Sequence, residues 1–167
     1  MSLNFQFVSE YTDWDDKSFE QIAHRVAFVT NESIDLPKNA NVAVLLCNDA
    51  KIQSLNKKFR GQPRPTNILS WPNKNLAADM PGQRPKLASD PDLGNIAIAY
   101  QICFAEAESA HIALNDYLAH LLVHGTLHLL GYDHIEDTDA VIMETIEIDI
   151  LAKLGISNPY TVGGQRR

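Results

Sequence analysis

With 167 residues, 45% of them apolar and 21% charged, the chain is long enough for a single domain with a real hydrophobic core and too short for two. Ordinary globular composition argues against disorder. No run of about 18 apolar residues exists to span a membrane, and Met1 to Asp16 has neither the basic nor the apolar region of a signal peptide. A soluble cytoplasmic protein is expected. The net charge of −7 speaks against a general nucleic-acid coat, which needs a basic surface.

The charge is uneven. From Ala50 to Ala78 the sequence carries Lys51, Lys57, Lys58, Arg60, Arg64 and Lys74 and no acid; from Tyr132 to Leu151 it carries seven acids and no Lys or Arg. The basic strip could receive a polyanion locally, although a solvated helix face explains such a run as well. Cys47 and Cys103 are the only cysteines, neither lies in a C-x-x-C pair, and both read as small buried residues.

In chain order, Leu3 to Val8 alternates apolar and polar positions and predicts a strand. Asp15 to Ser33 carries Phe19, Ile22, Ala23 and Val26 at helical spacing, with acids at its start where the helix dipole favours them. Val42 to Cys47 predicts a short strand. A helix capped by Asn48 or Asp49 then carries Ile52, Leu55 and Phe59, and Ile68 to Trp71 predicts a strand closed by Pro72. Asn73 to Asp92, with Pro81, Gly82, Pro85 and Pro91, predicts an irregular loop whose length suggests a functional role. After a strand over Leu93 to Ala99 come helices over Tyr100 to Ala110, Asp116 to Leu130 and Asp137 to Leu154. The last is apolar on much of its circumference and is expected to be well covered. Strands early and helices late indicate an α+β fold, helices packed on a small mixed β-sheet.

The chemistry concentrates in His124-Gly-Thr-Leu-His128-Leu-Leu-Gly131-Tyr-Asp-His134. Four residues along an α-helix turn by about 40° beyond one revolution, so His124 and His128 share a face one turn apart. Gly131 can take the left-handed conformation that ends a helix, which lets the chain reverse and return His134 to the same point. Three imidazoles on one zinc ion leave its fourth position open to water, the arrangement of a catalytic site. The histidines and the glycine fall at the offsets of the metzincin pattern H-E-x-x-H-x-x-G-x-x-H, but Gly125 stands where those peptidases have their glutamate base. His120 lies one turn earlier on the same face and is expected to be no ligand, since three histidines and water complete the set. His24 and His111 have no partner at useful spacing. A lone histidine is usually a core or surface residue, but three at both offsets around a helix-ending glycine predict a metal site.

This segment, followed by I-E-D-T-D at 135 to 139 and Met143-Glu144, resembles the YbeY family of bacterial metal-dependent endoribonucleases. A second block carries the resemblance upstream: Leu55-Asn56, Phe59-Arg60-Gly61, P-T-N-I-L-S-W-P from Pro65 to Pro72, and Leu93-Gly94-Asn95-Ile96. The resemblance implies a zincin-like α+β fold and one zinc per chain held by His124, His128 and His134. It implies action on RNA in ribosomal RNA maturation, at the 3′ end of 16S rRNA, and in ribosome quality control with the small ribosomal subunit as partner. It places Arg60 in the active cleft as a catalytic residue, where a planar, permanently charged guanidinium suits a phosphodiester gaining negative charge. This chain departs from the family pattern at Asn67 and Asn95, where aspartate is usual; both are read as turn or hydrogen-bonding positions. The expectation is therefore a zinc-dependent endoribonuclease for single-stranded RNA. The rivals are a metallopeptidase-like hydrolase and a non-catalytic ribosome-assembly factor with a structural zinc.

Overall fold

Alternating side chains in four short segments build one sheet, and the computed structural model, which describes residues 3–160, orders it β1-β2-β4-β3. The strands are β1 (Asn4–Ser9), β2 (Asn41–Cys47), β3 (Ile68–Pro72) and β4 (Asp92–Ala99). β1, β2 and β4 run parallel, while the edge strand β3 pairs antiparallel with β4, Ser70 opposite Ile96. Along β4 the two-residue period sends Ile96 and Ile98 to one face and Ala97 and Ala99 to the other, as strand geometry requires.

Five helices complete the described chain: α1 (Asp16–Ser33), α2 (Asp49–Arg60), α3 (Tyr100–Ser109), α4 (Leu114–Leu129) and α5 (Asp137–Lys153). Asp15 caps α1 by accepting from the Ser18 amide, and Asn48 caps α2 by accepting from Lys51, each satisfying an amide that the helix start leaves free. The face of the sheet with Val42, Val44, Leu46, Ile96 and Ile98 joins the main core. The opposite face is covered by α2 around Ile52, Leu69 and Ala97. No helix among the described residues is long and apolar enough to cross a membrane.

α4 is the centre of the molecule. Every residue from Tyr117 to Leu127 on it is buried, and it packs against α1, α3, α5, β3 and β4. Buried polar groups on such a helix are costly unless hydrogen-bonded, so His120 and His124 need partners. The approach to the sheet is close at Gly125, where a Cβ would stand 2.9 Å from Ile68 Cδ1 and 3.0 Å from Ile96 Cδ1. Sheet contact, not chemistry, fills the position that metzincins give to glutamate.

One sequence expectation changes. α5 is not covered as its apolar count suggests: Val141 is 59% exposed, whereas the acid Glu147 is fully buried. The segment after β3 is irregular, as expected, but it is fastened to the fold. Lys86 N–H donates to the Leu76 carbonyl at 2.9 Å, and Gly82 N–H donates to Asp139 Oδ1 on α5 at 2.8 Å.

Candidate metal centre and cleft

α4 ends in a Schellman turn: Tyr132 N–H donates to the Leu127 carbonyl and Gly131 N–H to the His128 carbonyl, both at 3.0 Å. Gly131 has φ 97°, and a Cβ there would come within 2.6 Å of the Leu76 carbonyl carbon, so both conformation and space demand glycine. The turn reverses the chain and brings His134 beside His124 and His128, with ring centroids 5.4 and 5.1 Å away. One ring nitrogen from each of the three histidines falls in a group whose members all lie within 4.8 Å of one another.

The hydrogen bonds settle which nitrogens face inward. His128 Nδ1 lies 3.0 Å from the Tyr132 carbonyl, which can only accept, so Nδ1 carries the proton. Burial, with the neighbouring His124 and His134 adding to it, pushes His128 down to about 4, so the ring is neutral near pH 7 and its Nε2 offers a bare lone pair. His124 Nδ1 lies 2.9 Å from Glu147 Oε2. Burial pushes the Glu147 carboxyl up, but hydrogen bonds from His120 and His124 outweigh it and hold the group down at about 2. Glu147 is therefore an anion and an acceptor, so His124 donates from Nδ1 and turns Nε2 toward the cluster. The two Nε2 atoms face each other at 3.0 Å. At that spacing either a proton shared between the two nitrogens or a cation held by both bridges them. The donor set fits a divalent ion of the zinc type, which takes neutral imidazole nitrogens.

His120 stays out of this trio. Its Nε2 donates to Glu147 Oε2 at 2.8 Å, and a second geometric group of His120, His124 and Glu147 arises from these hydrogen bonds. Tyr160 O–H donates to the other carboxylate oxygen at 2.7 Å. Sequence reading missed Glu147 because it sits in an acidic run and looks solvated. The available signal was spacing: Met143, Glu147, Ile150 and Leu151 recur at helical intervals on the buried face.

A cleft of about 520 Å³ opens beside the trio, lined by His124, His128, Arg60, Asn67, Ser70 and Lys74 among others. Of the six basic residues in the strip, Arg60 and Lys74 reach it; Lys58 lies instead over the Phe59 ring, 5.3 Å from its centroid. Arg60 closes α2 and is exposed; its Nη2 donates to the Ser70 carbonyl on β3 at 2.8 Å. The loop at 73–92 supplies the wall formed by Lys74, Asn75, Leu76 and Ala77.

The two asparagines part company. Asn67 lines the cleft, and its Nδ2 donates to Glu106 Oε1 at 3.0 Å, an oxygen that also accepts from Tyr117 O–H. An aspartate there would set two carboxylates together, so the amide serves a hydrogen bond. Asn95 lies across the sheet beside Phe59 and Trp71, so these positions do not share one site. His24 and His111 are exposed and outside the cluster. Cys47 and Cys103 are both buried and form no disulfide with each other, and burial, with Glu10 adding to it, pushes Cys47 up to about 11.

Three imidazoles converging on one point, on a central helix and the turn after it, beside an open cleft holding an arginine, define a metal-dependent hydrolase of the zincin-like α+β class. Residues 4–155 match the profile of the family described as endoribonuclease YbeY. Two similar proteins, both named Endoribonuclease YbeY, come from Ruegeria sp. (strain TM1040), 48% identical over 93% of this chain and 95% of that one, and from Dinoroseobacter shibae, 45% identical over 93% and 89%. The chain belongs to the endoribonuclease YbeY family. Its fold is similar to the solution structure of TM1509 from Thermotoga maritima, with a TM-score of 0.62 and 24% identity over 90% of this chain and 89% of that one.

Proposed function

We propose that this chain is a zinc-dependent endoribonuclease that cuts single-stranded RNA in the cytoplasm, acting on ribosomal RNA at the small ribosomal subunit. The observation that carries the reading is the shared cleft: His124, His128 and Arg60 all line it. His124, His128 and His134 would hold the ion. When bound, zinc supplies Lewis-acid polarisation and a lowered pKa for water.

The chain's own side chains do the rest. Arg60 is tied by a hydrogen bond to a main-chain carbonyl, and exchanging that acceptor for a phosphodiester oxygen gives a stronger, charge-assisted contact. Lys74 adds a second positive charge on the loop wall, placed to hold a neighbouring phosphate. A charged groove that tracks one backbone suits a flexible single strand. Asn67, committed to Glu106, orients without exchanging protons.

A peptidase reading finds less support. The helix position that would carry its glutamate touches the sheet, and Arg60 engages the Ser70 carbonyl of the edge strand, a group that an incoming peptide strand would pair with. A purely structural zinc is disfavoured by the ligand count, because structural sites close with four protein ligands. The test is one purified sample presented with unpaired RNA, duplex RNA and peptide. Cleavage of unpaired RNA alone is expected, and mass spectrometry of the ends distinguishes direct hydrolysis from attack by the 2′-hydroxyl, which leaves a cyclic phosphate. Peptide hydrolysis with RNA untouched would overturn the reading.

A further inference from the structure

We infer that Glu147 is the positioning residue of the metal centre: its buried carboxylate fixes the tautomer and direction of His124 and supplies the negative charge that balances the bound ion. The inference rests on the reading of His124 as a ligand. The carboxylate is fully buried and accepts three hydrogen bonds, from His120 Nε2, His124 Nδ1 and Tyr160 O–H. The ion-pair partners found for it among the described residues are the two histidines, not a lysine or arginine. A buried anion without a permanent cation is expensive to keep. A divalent ion on the far nitrogen of His124 would add positive charge one imidazole away from this carboxylate.

The local design supports this assignment. His124 Nδ1 has Glu147 as its hydrogen-bond acceptor, so donation there commits Nε2 to the cluster. His128 is oriented by a different device, the Tyr132 carbonyl presented by the Schellman turn. One ligand thus leans on a neutral dipole and the other on a full charge. Outer partners of ligating histidines fix the tautomer and raise ligand basicity, and losing one typically costs roughly 10- to 100-fold in metal affinity. His120 and Tyr160 occupy two further acceptor positions of the carboxylate and hold it in place.

The experiment measures zinc affinity by chelator competition on metal-free protein, for the parent chain, Glu147→Gln and Asp149→Asn. Gln keeps the size and one acceptor oxygen but removes the charge; Asp149, exposed and paired with Lys153, controls for loss of an acid from the same helix. Glu147→Gln should bind zinc roughly 10- to 100-fold more weakly, with the melting temperature of the metal-free protein unchanged or higher. Asp149→Asn should match the parent. A purely structural Glu147 would instead lower the metal-free melting temperature and leave affinity alone, which overturns the inference. Should Glu147→Gln not fold, nitrogen-15 NMR of histidine side chains in the metal-free parent still decides: His124 protonated on Nδ1 supports the assignment, and protonation on Nε2 refutes it. Neither readout uses RNA, so a failure of the nuclease reading remains distinguishable from a failure of this one.

Discussion

The two walls of the cleft are built on opposite terms. The histidine wall is set before any ligand arrives: α4 is buried on all sides, the turn at Gly131 is fixed by two hydrogen bonds, and His124 and His128 each have one nitrogen engaged. The basic wall is loosely held, with Arg60 exposed on a hydrogen bond to a carbonyl and Lys74 exposed on an irregular loop. Metal affinity gains from preorganisation because ligand rings need not reorient on binding. An RNA backbone varies in path, and exposed long side chains can follow it. On the proposed reading, the rigid wall would hold the metal and the adaptable wall would follow the RNA.

Mutation on the rigid wall should have the largest effect. His124→Ala, His128→Ala or His134→Ala should each remove most of the bound zinc and abolish cleavage, whereas His120→Ala should retain about one ion per chain, the occupancy of a three-ligand site. Elemental analysis checks this, and full zinc in any mutant of the trio breaks the comparison. Next comes Arg60→Ala, which should keep zinc and melting temperature while cleavage falls on the order of 10²- to 10³-fold, the usual cost of removing one transition-state donor. Lys should rescue poorly, since a point charge does not reproduce the planar fork. Normal activity in Arg60→Ala would return that residue to the solvated surface.

Gly125 sharpens the comparison from the sheet side. Its nearest neighbours are the δ-methyl ends of Ile68 and Ile96, which can shift, and alanine gains about 1 kcal/mol of helix propensity over glycine. Gly125→Ala should therefore change stability by no more than about 1 kcal/mol, because that gain offsets the tighter packing. Gly125→Glu should cost several times as much, since it drives a charge into the helix–sheet contact, and it should yield no peptidase. Thermal denaturation reads both. The smallest effect belongs to Lys74→Ala: weaker RNA binding irrespective of sequence, with the salt slope of the affinity reduced by about 1. An unchanged slope would remove Lys74 from the RNA path.

The difference between the walls also explains what sequence could and could not reveal. Helix and strand positions follow local periodicity and caps, and the strands and helices expected from Leu3 to Leu154 all appear, with ends moved by a residue or two. The trio was legible because its geometry is local, two histidines on one helix face and a third after a glycine turn. Glu147 was hidden because its role depends on α5 packing against α4: its helical spacing with Met143, Ile150 and Leu151 signals burial but does not name that neighbour. Arg60 stood out through family resemblance alone; among six basic residues in a strip, composition does not separate the two that face the cleft from those that do not. Asn67 is similar, since its purpose becomes visible with Glu106 and Tyr117 beside it.

The central claim, that one metal held by three histidines drives RNA cleavage, is tested most directly by returning zinc stepwise to metal-free protein while following cleavage of an unpaired RNA. Activity should rise from near zero and level off at about one zinc per chain, the stoichiometry of a three-histidine site with one open position. Cleavage that persists without zinc, or that saturates only at two or more ions per chain, would contradict it.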